Sequence, residues 1–196
     1  MRRFILVILL VGCAHVSGPK IAPLPPSQSP IEALLARAAE FPGARSIMNV
    51  RATAGGETRT LKAQLIVHDR QRMQLIAYTP IGTTAATITA DGDRVTVEDA
   101  IHGATVAGNA ASMLQPYGFF TAGLTPAEMG MLLLGYPPRP DQQYEADAAG
   151  LKRVQFGDVV VTYDPPALPA RHVVVTHGKD VVDVQQLEVA AMGSGL

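Results

Sequence analysis

The sequence predicts one α+β domain in which a mostly antiparallel sheet curves strongly into an incomplete β-barrel. Helical periodicity is confined to about three short segments, whereas most other segments alternate apolar and polar residues and are separated by turn-forming Gly, Asp and Pro. We count about ten strands and about three helices, and a sheet of so many strands does not stay flat. An open barrel with the helices as a lid over its mouth would bury the apolar surfaces of both.

The first helix is predicted over residues 31–41, which read IEALLARAAEF. Pro30 before the segment and Pro42-Gly43 after it are typical helix start and stop signals. We expect four residues of this helix to share a buried face: Ile31, Leu34, Leu35 and Ala38.

Alternation begins near Arg45 and predicts the first strands, in SIMNVRAT, TRTLKAQLIVHD, RMQLIAYT and TAATITADGDRVTVED. Every second residue from Leu61 to Val67 is apolar, and the residues between them are more polar, as an antiparallel sheet with one buried face requires. Turn residues separate these strands at Gly55-Gly56, residues 69–71 and Asp91-Gly92, the last being a strong hairpin signal.

Two helices are predicted in the middle of the chain, over residues 109–120 and 125–134. Pro116 should kink or break the first of them. The second opens with Thr125 as the N-cap, a proline at the first helical position and Glu128 three residues after the cap, which together form a capping box.

The last third of the chain returns to alternation and predicts strands in QQYEADAA, LKRVQF, DVVVTYD, ARHVVVTH and DVVDVQQLEVA. Gly157-Asp158, Pro165-Pro166 and residues 177–179 lie at the turns between them. The two middle helices are therefore inserted into one long meander.

The amino terminus reads MRRFILVILLVGCAHV and predicts export. Its two arginines and the apolar run from Phe4 to Val11 have the length and charge of a secretory signal, whereas a membrane span needs about 18 apolar residues. The sequence Leu-Val-Gly-Cys resembles a bacterial lipobox, which implies a signal peptide over residues 1–12 and diacylglyceryl and N-acyl groups on Cys13. An ordinary signal peptide with a cysteine near its cleavage site is the alternative.

Residues 13–30 predict a tether between the lipidated cysteine and the domain of residues 31–196. The segment after Cys13 carries five prolines and almost no charge, so it should be extended. No intramolecular disulfide can form, because the chain has one cysteine. The net charge of −1 excludes a basic nucleic-acid footprint.

Enzymatic motifs are absent from the sequence, which has no HExxH, paired CxxC, GxSxG or phosphate-binding Gly-rich loop. We therefore expect no enzyme, no metal and no cofactor apart from the acyl groups on Cys13. Asp91 and Asp93 lack the further oxygen ligands of a Ca²⁺ loop, and a hairpin turn is the better interpretation. His172 and His177 are interpreted as strand-end residues rather than metal ligands.

Apolar content is high, but the side chains are thin, because the chain has no Trp and only 5% aromatic residues. A barrel lined by Ala, Val, Ile, Leu and Met would leave unfilled space. One interpretation is a preformed apolar cavity for an acyl chain. The other is a curved sheet packed solid by its own helices, and composition does not decide between them.

The order helix, meander, two helices, meander resembles the LolA/LolB superfamily of periplasmic lipoprotein carriers and outer-membrane lipoprotein receptors. Three segments are similar to the LolB side. RMQLIAYTPIGTTAATITADGDRVTV (72–97) resembles its strand, Pro-hydrophobe-Gly loop, strand and hairpin. MGMLLLGYP (129–137) is similar to its helix with a Leu-Gly-x-Pro stop, and ALPARHVVVTHGKDVVDVQQLEV (167–189) to its final strand pair.

The resemblance implies a monomeric outer-membrane lipoprotein whose domain faces the periplasm. It would take the acyl chains of a lipoprotein or another lipid from a LolA-like periplasmic carrier and insert this cargo into the membrane. The alternative is an envelope scaffold or interaction lipoprotein with the same fold and no lipid cargo.

The resemblance also implies functional residues. An apolar residue on the loop after the third strand reaches toward lipid in this family, and Pro80, Ile81 and Gly82 occupy that place here. For Ile81 the alternative is a loop residue covered by its own sheet. Candidate cavity residues, for which ordinary core packing is the alternative, are Met48, Val50, Leu61, Leu65, Met73, Leu75 and Ile88 from strands and Met113, Leu114, Met129, Leu132 and Leu133 from the lid.

Overall fold

A computed structural model describes residues 29–114 and 124–192, which form one antiparallel sheet of eleven strands together with three helices. The helices are α1 (Pro30–Ala39), α2 (Ala110–Leu114) and α3 (Pro126–Leu133). The first strands are β1 (Ala44–Ala54), β2 (Glu57–Val67), β3 (Arg72–Tyr78), β4 (Thr84–Asp91), β5 (Arg94–Asp99) and β6 (Ala104–Asn109). The others are β7 (Gln143–Ala146), β8 (Leu151–Phe156), β9 (Val159–Tyr163), β10 (His172–His177) and β11 (Asp180–Ala191).

The sheet is a meander whose two halves join in the middle, with the strand order β6-β5-β4-β3-β2-β1-β11-β10-β9-β8-β7. The first and last strands are neighbours, and β6 and β7 form the edges. Because the edges do not pair with each other, the barrel is incomplete, and the predicted α+β fold class is confirmed.

One strand was not predicted from the sequence. β6 reads ATVAGN, and its small side chains give almost no alternation. It forms by pairing along β5, with Val106 opposite Val97. The start of the predicted helix of residues 109–120 is observed as α2, and its continuation with the break at Pro116 lies outside the described residues. The signal peptide, Cys13 and the tether up to residue 28 also lie outside them, whereas Ser29 and Pro30, predicted as the end of the tether, are the N-cap and first residue of α1.

Both longer helices begin with a capping box. In α1, the Ser29 hydroxyl accepts from the Glu32 amide across 3.3 Å, and the Glu32 carboxylate accepts from the Ser29 amide across 3.1 Å. The predicted box of α3 is confirmed in the same form at Thr125 and Glu128. The predicted apolar face of α1 contains two buried and two half-buried residues: Leu34 and Ala38, then Ile31 and Leu35.

Strand register aligns apolar residues in a row across one face of the sheet. The row contains Leu65, Leu75, Ile88, Val97 and Val106, each opposite the next on a neighbouring strand. We call the face that carries this row the inner face, and α3 packs on it against β2, β3 and β4. The opposite, outer face is more polar and carries Gln74, Thr89 and Thr96 in register.

The approach of α3 to β2 depends on a glycine. A Cβ atom at Gly130 would lie 2.7 Å from Cγ2 of Val67, a distance that carbon atoms do not tolerate. Gly130 therefore lets the helix backbone lie directly on the strand, and Leu65 and Val67 are buried beneath it. No helix within the described residues has the length and apolar character to cross a membrane.

Candidate lipid-binding site

The predicted cavity residues fall into three groups by their exposure to solvent. The buried group lies in the core: Met48, Leu65, Met73 and Leu132. The half-buried group packs against that core: Val50, Leu75, Ile88, Met113, Met129 and Leu133. Leu61 is exposed, and the side chain of Leu114 lies outside the described residues.

Burial along the apolar row is complete at the centre of the sheet, partial on β3 to β5 and lowest at the β6 edge. Leu65, beneath α3, is 1% exposed, Leu75, Ile88 and Val97 are half-buried, and Val106 is 54% exposed. Leu61, on β2, extends the exposed apolar surface beside the row. We call the partly or fully exposed apolar residues among these the open apolar surface, as seen within the described residues: Leu61, Leu75, Ile88, Val97 and Val106.

The two interpretations of the interior therefore apply to different parts of the sheet. Beneath α3, and across β8 to β10, side chains such as Val154, Val161 and Val173 are fully buried and form an ordinary packed core. Over β3 to β6, the described residues leave apolar side chains partly exposed. Apolar area of that kind is where an acyl chain could be removed from water.

α2 borders the open apolar surface with a flexible side chain. Asn109 fixes the start of this helix, because its side-chain oxygen accepts from the Ala111 amide across 3.0 Å. Met113 then packs on the β6 backbone, where a Cβ atom at Gly108 would lie 2.9 Å from Met113 Cγ. Methionine adapts its shape to irregular apolar partners, so this border can accommodate a ligand.

α3 is fixed to the sheet at its carboxyl end by buried polar groups that the sequence analysis did not identify. Gln186 Nε2 donates to the Leu133 carbonyl across 2.9 Å, and the Gln186 side-chain oxygen accepts from the Ser46 hydroxyl. The Tyr163 hydroxyl donates to the Leu132 carbonyl across 2.9 Å, and burial raises the pKa of Tyr163 well above its usual value. The only signal in the sequence was a polar residue at an inward position of β1 and of β11.

The amino end of α3 is held by an ion pair. Arg139 donates to both carboxylate oxygens of Glu128, each across 2.6 Å. Burial alone would raise the pKa of Glu128, but hydrogen bonds from Arg139 and from the Thr125 amide outweigh it, so this pKa is below its usual value. α3 is therefore bonded to the sheet at its carboxyl end and to the segment that follows it at its amino end.

Pro80, Ile81 and Gly82 form the tip of the hairpin between β3 and β4. The Gly82 amide donates to the Thr79 carbonyl across 2.9 Å, and the Thr79 amide donates to the Thr83 carbonyl across 2.8 Å. Gly82 has φ +86°, which suits the left-handed residue that closes such a turn. Ile81 is 86% exposed, so the alternative that its own sheet covers it is wrong.

A depression at the β7–β8 edge of the sheet contains none of the predicted site residues. It has a volume of about 330 Å³ and is lined by Asp141, Gln142, Gln143, Gln155, Phe156 and Gly157. A polar lining of this kind does not suit an acyl chain.

The histidines of β10 lie in separate hydrogen-bonded pairs. His172 contacts Asp183 across 3.1 Å, and His177 contacts Asp158 across 2.7 Å. No cluster of three or more His, Cys, Asp or Glu within the described ranges could hold a metal ion. The Asp91-Gly92 segment is the predicted hairpin turn, which is confirmed by the β4–β5 pairing.

A single unclosed antiparallel sheet with helices on its inner face is the fold of LolA superfamily proteins. A LolA superfamily protein from Nitrosomonas europaea superposes with a TM-score of 0.53 at 7% identity, covering 86% of this chain and 96% of that one. A putative outer membrane lipoprotein-sorting protein domain from Vibrio parahaemolyticus gives 0.59 at 8% identity, with 85% and 92% covered. A DUF1329 family protein from Desulfovibrio piger gives 0.50 at 10% identity, with 86% and 95% covered.

Sequence comparison adds a family without an assigned activity. A family described as "Protein of unknown function (DUF3261)" matches residues 48–127. No curated protein matches the chain. At these identities the structural likeness establishes the fold alone, and it does not distinguish LolB from other proteins of this fold.

Proposed function

We propose that this protein is an outer-membrane lipoprotein that binds acyl chains on its open apolar surface and passes lipoproteins or other lipids to the membrane. The observation that carries the proposal is the falling burial along the apolar row, from Leu65 in the core to Val106 at the edge. Exposed apolar rows of this kind mark binding surfaces, whereas a curved sheet packed solid by its own helices would cover them.

Binding of an acyl chain to the open apolar surface requires only apolar contact area. Each methylene group that leaves water stabilises the complex by about 0.8 kcal/mol, so an acyl chain lying across Leu75, Ile88 and Val97 would bind without any polar partner. Transfer then follows differences in affinity between the carrier, this surface and the bilayer. No nucleotide or metal is required for that step.

The exposed Ile81 at the tip of the β3–β4 hairpin supports the proposal that cargo is delivered to a membrane. Ile81 lies on a short turn held by Thr79 and Thr83, so the side chain is presented to solvent without a flexible loop. Burial of an isoleucine side chain in lipid is worth about 1.5–3 kcal/mol. We infer that Ile81 contacts the bilayer while cargo leaves the open apolar surface.

The remaining parts of the proposal come from the sequence. Acyl groups on Cys13 would hold the protein at the outer membrane, with the domain on the periplasmic side, and several acyl chains anchor far more strongly than one. A LolA-like periplasmic carrier is the proposed donor of cargo, and the domain is proposed to act as a monomer.

Native mass spectrometry of the full chain, purified in detergent from an envelope-containing host, tests lipid binding. We expect a co-purifying lipid or acylated peptide, and uptake of a fluorescent fatty acid by the wild-type protein. Leu75→Gln should weaken both. Ile76→Gln is the matched control, because Ile76 is also half-buried but lies on the outer face of the same strand.

Thermal melts should show that both variants fold. A folded wild-type protein that carries no lipid and takes up no acyl probe would overturn the proposal. Cross-linking of that bare protein to an envelope protein would then favour the scaffold function.

A further inference from the structure

Two large aliphatic side chains are more exposed than any other within the described residues. Ile81 is 86% exposed and Ile101 is 64% exposed. Ile101 lies in the turn between β5 and β6. A single exposed isoleucine is ordinary, so the relation between the two residues is what needs an explanation.

The sheet topology places both residues at the same end of the molecule. β3 and β5 both run toward this end, and the β3–β4 and β5–β6 hairpins turn there. The Ala100 amide donates to the Ala85 carbonyl across 3.0 Å and so joins the bases of the two hairpins. Corresponding positions of the hairpins are two strand spacings apart, which puts the tips about 10 Å from each other.

Hydrogen bonds hold the β5–β6 turn that carries Ile101, as they hold the β3–β4 turn that carries Ile81. The Asp99 carboxylate accepts from the Ile101 amide across 2.9 Å and from the His102 amide across 3.0 Å. The same carboxylate contacts His102 Nδ1 across 2.7 Å. Ile101 is therefore presented by an ordered turn, and its burial against a partner would cost little loop entropy.

The two turns are short, and the one carboxylate that contacts them, Asp99, already has partners within its own turn. Residues 79–85 read TPIGTTA and residues 100–104 read AIHGA, with no Lys, Arg, Asp or Glu. A stable protein interface needs about 800 Å² from each partner, which two separated isoleucines do not supply. Contact with a bilayer does not require a matched surface of this area, because acyl chains fill the space around each inserted side chain.

We propose that Ile101 is a second membrane-contact residue, and that Ile81 and Ile101 together set this end of the sheet on the bilayer surface. The inference rests on the proposed function and adds an orientation to it. The open apolar surface lies on the strands that these two hairpins join, since Leu75 and Ile88 are on β3 and β4, and Val97 and Val106 are on β5 and β6. Cargo would leave this surface next to lipid rather than cross water.

Two isoleucines are too few to hold a protein on a membrane unaided, because even a single myristoyl chain binds only marginally. With the expected acyl anchor on Cys13, the two isoleucines do not have to hold the protein on the membrane by themselves. The anchor keeps the domain at a high effective concentration near the bilayer, where a weak contact is enough to orient it.

Fluorescence quenching on the processed full chain in phosphatidylethanolamine and phosphatidylglycerol vesicles tests the proposal. Ile81→Cys, Ile101→Cys and Leu187→Cys would each be labelled with a polarity-sensitive fluorophore, and mass spectrometry would confirm one label per chain. Leu187 is the matched control, because it is an exposed leucine, 50% accessible, in the body of β11. We expect nitroxide lipids to quench the labels at positions 81 and 101 several-fold more than the label at 187.

Each other result overturns the inference. Quenching at position 81 without position 101 would mean contact through one tip, and equal quenching at all three positions would mean adsorption without orientation. Quenching at neither tip would mean no contact at this end. None of these results bears on acyl binding, which the co-purification experiment decides separately.

A second measurement does not depend on labels. Ile101→Glu should lower lipoprotein transfer to the vesicles several-fold, while Ile101→Val should retain it. The uptake of a fluorescent fatty acid should be unchanged in both variants, since Ile101 is outside the open apolar surface. Full transfer by Ile101→Glu would contradict the proposal.

Discussion

The side-chain amide of Gln186 in β11 donates to the carbonyl of Leu133 at the end of α3, across 2.9 Å. The bond joins a central strand of the sheet to the helix that covers its core. The same side chain accepts from Ser46, so one glutamine connects β1, β11 and α3. A buried polar group of this kind stabilises the fold only while all its partners remain in place.

Replacing this glutamine should destabilise the protein. Gln186→Met keeps most of the volume but removes the donor to the Leu133 carbonyl and leaves the Ser46 hydroxyl only its 3.4 Å contact with the Ile47 carbonyl. We expect this to cost about 1–3 kcal/mol of unfolding free energy. Urea denaturation measures the loss. The neighbouring Gln185→Met, at an exposed position, should stay within about 0.5 kcal/mol of wild type. Equal stability of the two variants would contradict the assigned role of Gln186.

Gly130→Ala should lower stability although alanine is the better helix former. Alanine gains about 1 kcal/mol of helix propensity, but its Cβ would clash with Val67, and overpacking typically costs about 1–3 kcal/mol. Adding Val67→Ala removes the clash, so the alanine at position 130 should be less harmful in that background. A double-mutant cycle by urea denaturation checks this, and additive effects would show that α3 does not depend on this close approach.

The Glu128 ion pair should make stability depend on acid pH. Because the pKa of Glu128 is lowered in the folded state, its contribution is complete above its ordinary value of 4.5 and is lost as the pH falls through the lower, folded pKa. Glu128→Gln should therefore flatten the stability profile below pH 4.5. Urea denaturation across acid pH measures it. Arg139→Met should flatten the profile as well, and a profile unaffected by either change would exclude the pair as a source of pH dependence.

Ile81→Glu should block delivery without unfolding the domain. The side chain is almost fully exposed, so the change in unfolding free energy should be within about 0.5 kcal/mol. Loss of lipid contact should slow lipoprotein transfer into vesicles by about 10- to 100-fold. Leu187→Glu, a charge introduced at another exposed leucine, should transfer normally. Equal loss in both variants would indicate a general charge effect.

Much of the fold could be predicted because its signals are local. The capping box at Thr125 and Glu128 and the Asp91-Gly92 hairpin are each fixed by a few adjacent residues. β6 was missed because ATVAGN contains almost no alternating pattern and becomes a strand only by pairing with β5.

The site was less predictable, because alternation shows which face a residue occupies and not what covers that face. Leu65 and Leu75 have the same pattern in sequence, yet Leu65 is 1% exposed and Leu75 is only half-buried. Ser46 and Gln186 are 140 positions apart, and each taken singly is a polar interruption of an apolar face. The exposure of Ile81 likewise depends on a turn whose hydrogen bonds the sequence does not specify.

The pairing of β1 with β11 has a further consequence for how the chain folds. Every other strand pair joins strands that are consecutive in the sequence, whereas this pair brings Ala44 next to Ala191. Closing so long a loop costs more entropy than forming a hairpin, although the cost rises only slowly with loop length. We expect the meanders β1–β6 and β7–β11 to nucleate separately and the central seam to form last. The rate-limiting event would then be the meeting of two partly ordered half-sheets.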